Sequence, residues 1–118
     1  MKYMLLIHQG DTPTPPSDEW ERLPEEEQKA VYAAYQAINE TPGVTPGNGL
    51  APPEAATTVR VQDGKTLTTD GPFVAVKEAL GGYLLFEADD LDAAIELASR
   101  IPAARMGGAV EVRPIVEY

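Results

Sequence analysis

One histidine and one heavily specified loop hold most of the groups in this sequence that could do chemistry. His8 follows the apolar run Met4–Ile7, with Asp11 three residues on, and the loop around Thr68–Tyr83 carries Asp70, Lys77 and Glu78. An imidazole titrates close to neutral pH and can give or take a proton, and a carboxylate beside it orients the ring and raises its basicity. Asp70 or Asp11 is the carboxylate selected for that role, with His8 and Asp70 as the candidate acid–base pair. Pro72 sharpens the case for Asp70. It confines Gly71 to extended backbone and lacks the N–H that Asp70 would take in an ordinary Asx-turn. The Asp70 carboxylate is therefore left for Phe73 N–H, another part of the fold, water or a ligand.

Plainer roles stand beside these. A lone histidine at a strand end also fits a bond to a loop carbonyl, and Asp70 also fits as a brace paired with Arg60, Lys77 or Arg105. Arg60 on an alternating strand offers a bidentate fork to a carboxylate ligand or to an intersubunit ion pair. Asp11, Arg60, Gly71, Pro72, Phe73, Lys77 and Glu78 are the candidate ligand-binding residues. Tyr3, Tyr83 and Phe86 read as core or dimer interface. The chain has no cysteine and one histidine, which removes thiolate chemistry and a multi-histidine metal site within one chain. Gly43, Gly47 and Gly49 lack the lysine and strand–loop–helix setting of a phosphate loop, and no Gly-x-Ser-x-Gly elbow occurs. The expectation is no cofactor and no metal. A net charge of −10 opposes phosphate backbones and anionic membranes, so neither nucleic acid nor membrane is the expected partner.

These groups need a scaffold, and 118 residues suit a single domain over 1–118. Lys2–His8 reads as a strand apolar on both faces, as a central strand should be. Gln9–Pro16 is a Pro-rich loop, and Ser17–Trp20 a short helical turn with Trp20 tucked onto the body. Pro24 suits a first helical position ahead of Glu25–Glu27. Val31, Ala34, Tyr35 and Ile38 then recur as one buried helical face, closed by Thr41-Pro42-Gly43. Val44–Pro53 has no periodicity and reads as a loop lying over the fold. Ala56–Gln62 and Lys65–Thr69 alternate around Asp63-Gly64, a tight hairpin signal. Gly81-Gly82 predict a bulge or close backbone approach ahead of Tyr83–Phe86, a second strand apolar on both faces. Asp89 is the expected N-cap of a second helix, with Asp92 in the capping-box position and Leu91, Ala94, Ile95 and Ala98 facing inward. Val110–Arg113 alternates as an edge strand. Strand, helix, hairpin, strand, helix, strand is the order of an α+β, ferredoxin-like (split βαβ) antiparallel sheet with an extra β-hairpin. Two helices on one face leave the other for a second copy.

With Thr69-Asp70-Gly71-Pro72-Phe73, Lys77-Glu78 and Gly81-Gly82-Tyr83 in place, the chain resembles the DGPF-domain family, a branch of the YCII-related superfamily. Met1–Ile7, Thr57-Thr58-Val59-Arg60, Asp63-Gly64-Lys65, Pro102–Arg105 and Val110–Pro114 extend the resemblance over nearly the whole sequence. It implies a homodimer with a dimeric α/β-barrel-like assembly. Met1-Lys2-Tyr3-Met4 enters a strand directly, without a basic and apolar leader pattern, so the expected location is cytoplasmic. Function in such proteins is mostly uncharacterised. A His–Asp pair has been proposed in the wider superfamily, a related protein dechlorinates a chlorinated hydroxyquinol, and DGPF members are often linked with sigma factors. The family loop commonly reads DGPFAETKE, whereas Ala75 and Val76 stand here where it has acidic and hydroxyl residues. The helix after Pro24 also lacks the histidine of the catalytic proposal. The expected function is binding of a small oxygenated or aromatic compound near the Asp70 loop, with cofactor-independent lyase, isomerase or dehalogenase chemistry if His8 and Asp70 act. The alternative is a non-catalytic ligand-binding or regulatory partner linked to a sigma factor.

Overall fold

The computed structural model describes residues 1–70 and 80–117, with no side chain described at Thr69 or Asp70. Four strands form an antiparallel sheet in the order β2 (Val44–Gly49), β5 (Leu80–Glu87), β1 (Lys2–His8), β6 (Ala109–Pro114). The hairpin strands β3 (Thr57–Gln62) and β4 (Lys65–Asp70) make a separate two-stranded sheet. The helices are α1 (Asp18–Arg22), α2 (Glu25–Asn39) and α3 (Leu91–Ser99), with 3₁₀ turns at Pro53–Ala55 and Pro102–Ala104. This mixed α+β arrangement is compatible with a ferredoxin-like fold. β1 and β5 are central, as their two apolar faces predict, and β6 is an edge.

Val44–Gly49 corrects the sequence reading, which took it for loop. It pairs with β5 through Val44↔Phe86, Thr45↔Leu85 and Pro46↔Leu84. An edge strand has one row of amides turned away from the sheet, so the missing N–H of Pro46 is tolerated there. Gly47 sits where any Cβ would run into the Tyr83 carbonyl. Residues that look like loop composition are thus what this edge requires. The β3–β4 hairpin is the extra element, closed by Asp63 and Gly64 at φ 51° and 75°, the geometry that Asp-Gly turns favour.

Alternation along the central strands splits the sheet into two different faces. Tyr3, Leu5 and Ile7 on β1 and Leu84 and Phe86 on β5 are buried. They pack with Ile38 of α2 and Ala94, Leu97 and Ala98 of α3 in one core. Trp20 is buried and meets Tyr32 edge-on, ring centroids 5.5 Å apart, while Ser17 Oγ accepts from Trp20 N–H at 3.1 Å. The opposite positions Met4, Leu6, Tyr83 and Leu85 are only half-buried. They pair across the strands as Met4↔Leu85 and Leu6↔Tyr83, an apolar patch outside the helix-covered core.

The predicted bulge is present. β1 and β5 run in register to Ile7↔Gly82, and His8 then faces Leu80, leaving Gly81 as the extra residue. A Cβ on Gly81 would strike the Gln9 side chain, so this glycine lets Gln9 lie against the sheet.

The N-cap of α3 is also displaced from its expected position. Asp90, not Asp89, caps the helix, its Oδ1 accepting from Ala93 N–H at 2.9 Å. Ala93 then occupies the third helical position, so Asp92 has no capping-box role. At α2, Pro24 is itself the cap residue, one position earlier than predicted. Asp90→Ala should cost about 1 kcal/mol, read as a lower urea midpoint with unchanged slope. Asp89→Ala should change little.

Candidate functional site

His8 emerges on the half-buried side of the sheet, the side of Met4 and Leu6. Its Nε2 lies 3.1 Å from Glu111 Oε1. The other oxygen of Glu111 accepts from Arg113 Nε. Register explains the trio: β6 runs antiparallel to β1 with Leu6↔Glu111 and His8↔Ala109. Glu111 is therefore the diagonal neighbour of His8 on one face, with Arg113 two residues further on. The Arg113 guanidinium, and after it His8, hold the Glu111 carboxyl below its ordinary pKa. A carboxylate with a depressed folded-state value contributes stability above its unfolded pKa and loses it as pH falls through the folded one. The stability gap between wild type and Glu111→Gln should therefore narrow between about pH 6 and about pH 3, by urea denaturation at each pH.

The other candidate residues are differently placed. Asp11 is exposed in the loop after β1, its N–H donating to Gly107 O at 3.2 Å. Arg60 is exposed on the hairpin, opposite Leu67. Asp70 ends β4 with its backbone opposite Thr57, and its side chain is not described. Gly71, Pro72, Phe73, Lys77 and Glu78 lie outside the described residues. Glu111, which the sequence suggested only as an edge-strand position, is the carboxylate that the described structure brings to His8.

A cleft of about 300 Å³ opens on the helix side of the sheet, between α2, the loop after β1, and the β2–β5 edge. Its polar lining includes Gln9, Thr12, Thr14, Tyr35, Asn39, Asn48 and Tyr83, beside apolar Val31, Leu84 and Met106. None of its described lining residues is charged, although 24% of the sequence is. Burial pushes the Tyr35 phenol pKa up, and a hydrogen bond with Gln9 pulls it partly back, so this group is neutral at physiological pH. Asn48 Nδ2 donates to Tyr83 Oη at 3.2 Å. Thr12 Oγ1 is buried without a hydrogen-bond partner among the described residues, an arrangement costing about 1–3 kcal/mol until a donor or acceptor arrives. A second cleft of about 650 Å³ adjoins the first, sharing Gln9, Thr12, Thr14 and Gly49 and reaching Leu80 and Gly81 at the start of β5. His8 is not among the described lining of either cleft.

Most of this cleft escaped the sequence reading, which placed Tyr35 in the buried stripe of α2 and gave Gln9, Thr12, Asn39 and Asn48 no role. One local signal was available: Tyr35 and Asn39 stand four residues apart, which puts both on one helical face.

A four-stranded antiparallel sheet with its longer helices on one face, a polar cleft beneath α2 and a half-buried apolar patch opposite narrow the class of protein. The family model described as the YCII-related domain matches residues 1–118. An uncharacterised protein of Rhizobium meliloti (strain 1021) is 31% identical over 120 residues, spanning 100% of this chain and 94% of that protein. The chain belongs to the YCII-related family. Among the described residues no helix is long and apolar enough to cross a membrane.

Proposed function

We propose that this YCII-related protein works as a homodimer that holds a small, uncharged, oxygen-bearing aromatic compound in the cleft beneath α2. The observation that carries the reading is the lining: neutral hydrogen-bonding groups and the Thr12 hydroxyl, which has no partner among the described residues. An anionic ligand would leave water for a site with no described cation to receive it, a large desolvation cost. Val31 and Leu84 offer apolar surface to a ring, and a volume of about 300 Å³ is at the lower end for small-molecule sites. The homodimer is supported by the patch of Met4, Leu6, Tyr83 and Leu85, which a second copy would cover.

Saturation-transfer NMR with catechol, benzamide, benzoate and phenyl phosphate tests the ligand class. Catechol or benzamide should bind at least about tenfold tighter than either anion, and Thr12→Val should weaken that binding, since a polar group left unpaired on binding costs about 1–3 kcal/mol. A preference for benzoate or phenyl phosphate overturns the reading.

A second reading has one observation in its favour. His8 with Glu111 at 3.1 Å is an oriented imidazole–carboxylate pair, so His8 retains an acid–base role as an alternative, with Asp70 as its other proposed partner. Because the pair lies on the face assigned to the second copy, its chemistry would take place in a site formed between subunits.

A further inference from the structure

The β3–β4 hairpin is not part of the main sheet. Val59 and Val61 lie two residues apart on one of its faces, 59% and 66% exposed, and Leu67 on the other face is 44% exposed. Thr66 and Thr68 stand opposite the two valines. A two-stranded hairpin by itself is marginal in water, and an apolar row of this kind gains stability only when something covers it.

The chain exposes more surface than a compact domain of its size. Its accessible surface is 8113 Å², whereas a compact monomer of its mass would show about 6,200 Å². The excess of roughly 1,900 Å² leaves room for the ~800 Å² that each partner gives to a standard interface. The radius of gyration is 16.1 Å, against about 13–14 Å for a compact domain of this length. The extents are 49 × 43 × 18 Å. A thickness of 18 Å is about two layers, one of sheet and one of helix.

Charge selects the occupant. Arg60 and Lys65 balance Asp63 and Asp70, so the hairpin is neutral on a chain whose net charge is −10. A basic partner would be drawn to the acidic body and not to this segment. Two copies of an acidic chain repel except where neutral apolar surfaces meet. The hairpin is such a surface.

We infer that the β3–β4 hairpin is a dimerisation arm that lays its Val59–Val61 face on a second copy. The inference rests on the homodimer proposed above and goes beyond it by assigning the arm as well as the sheet face to the contact.

The test uses the full chain, by sedimentation equilibrium and concentration-dependent amide hydrogen exchange, in wild type and Val59→Ser/Val61→Ser. Wild type should dimerise, and amides of Thr57–Gln62 should exchange at least about tenfold more slowly in the dimer than after dilution to monomer. The double variant should keep its far-UV circular dichroism and dimerise at least about tenfold more weakly. A wild type that stays monomeric at about 100 μM, far above the dissociation constants of stable dimers, overturns the arm and the dimer together. A dimer with hairpin exchange independent of concentration, undiminished by the serines, overturns the arm alone. Hairpin protection that persists in the monomer also overturns it, because the arm would then be folded onto its own body.

Discussion

Leu5→Ala is expected to remove about 2–5 kcal/mol of unfolding free energy, a large part of the roughly 5–15 kcal/mol available to a small domain. Leu5 is fully buried in the central strand, flanked in register by Leu84 of β5 and Val112 of β6. Both neighbours are held by their own backbone ladders, so the wall of the cavity relaxes little and the loss stays near the top of the range. Urea denaturation monitored at Trp20, itself buried beside α2, measures it. A loss below about 1 kcal/mol would place Leu5 outside the core and contradict the face assignment.

The next residue should behave in the opposite manner. Leu6→Glu is expected to weaken the proposed dimer by at least about 100-fold while leaving the monomer folded. Leu6 is half-buried on the other face, opposite Tyr83 and Glu111. A second copy seated there would bury the new carboxylate against apolar side chains and beside an existing acid, with no cation freed to meet it. Sedimentation equilibrium gives the dimer affinity, and amide dispersion in an NMR spectrum confirms the fold. Unchanged association would show that this face is not the contact. Adjacent residues should thus separate the core from the proposed interface, because side chains on a strand alternate.

The same alternation made much of the fold legible. Lys2–His8 and Tyr83–Phe86 carry apolar residues on both faces, and both strands are central. Asp63-Gly64 and Gly81-Gly82 announced a turn and a bulge through backbone demands that few other residues meet. Val44–Gly49 was hidden because an edge strand pairs on one side only and Gly47 is fixed by its approach to Tyr83, so proline and glycine there mimic a loop. Of two adjacent aspartates, the cap fell to Asp90 because α3 begins at Leu91, a one-residue distinction that apolar periodicity does not resolve.

The site was less legible for a different reason. Gln9, Thr12, Tyr35, Asn39 and Asn48 come from a loop, a helix and an edge strand, and no spacing links residues that only tertiary packing brings together. The pairing of His8 with Glu111 likewise depends on the β1–β6 register. The alternation of Val110–Arg113 showed that Glu111 faces away from the core, but not which residue it meets.

The neutral cleft beneath α2 is the proposed ligand site. Its most direct test is a ¹H–¹⁵N map of the full chain titrated with catechol. The expected result is saturable shifts at the side-chain amides of Gln9, Asn39 and Asn48, reached only at higher catechol concentration in Thr12→Val. Saturable shifts confined to the strand amides around His8 and Glu111, with those three side chains unmoved, would contradict it and transfer the site to the opposite face of the sheet.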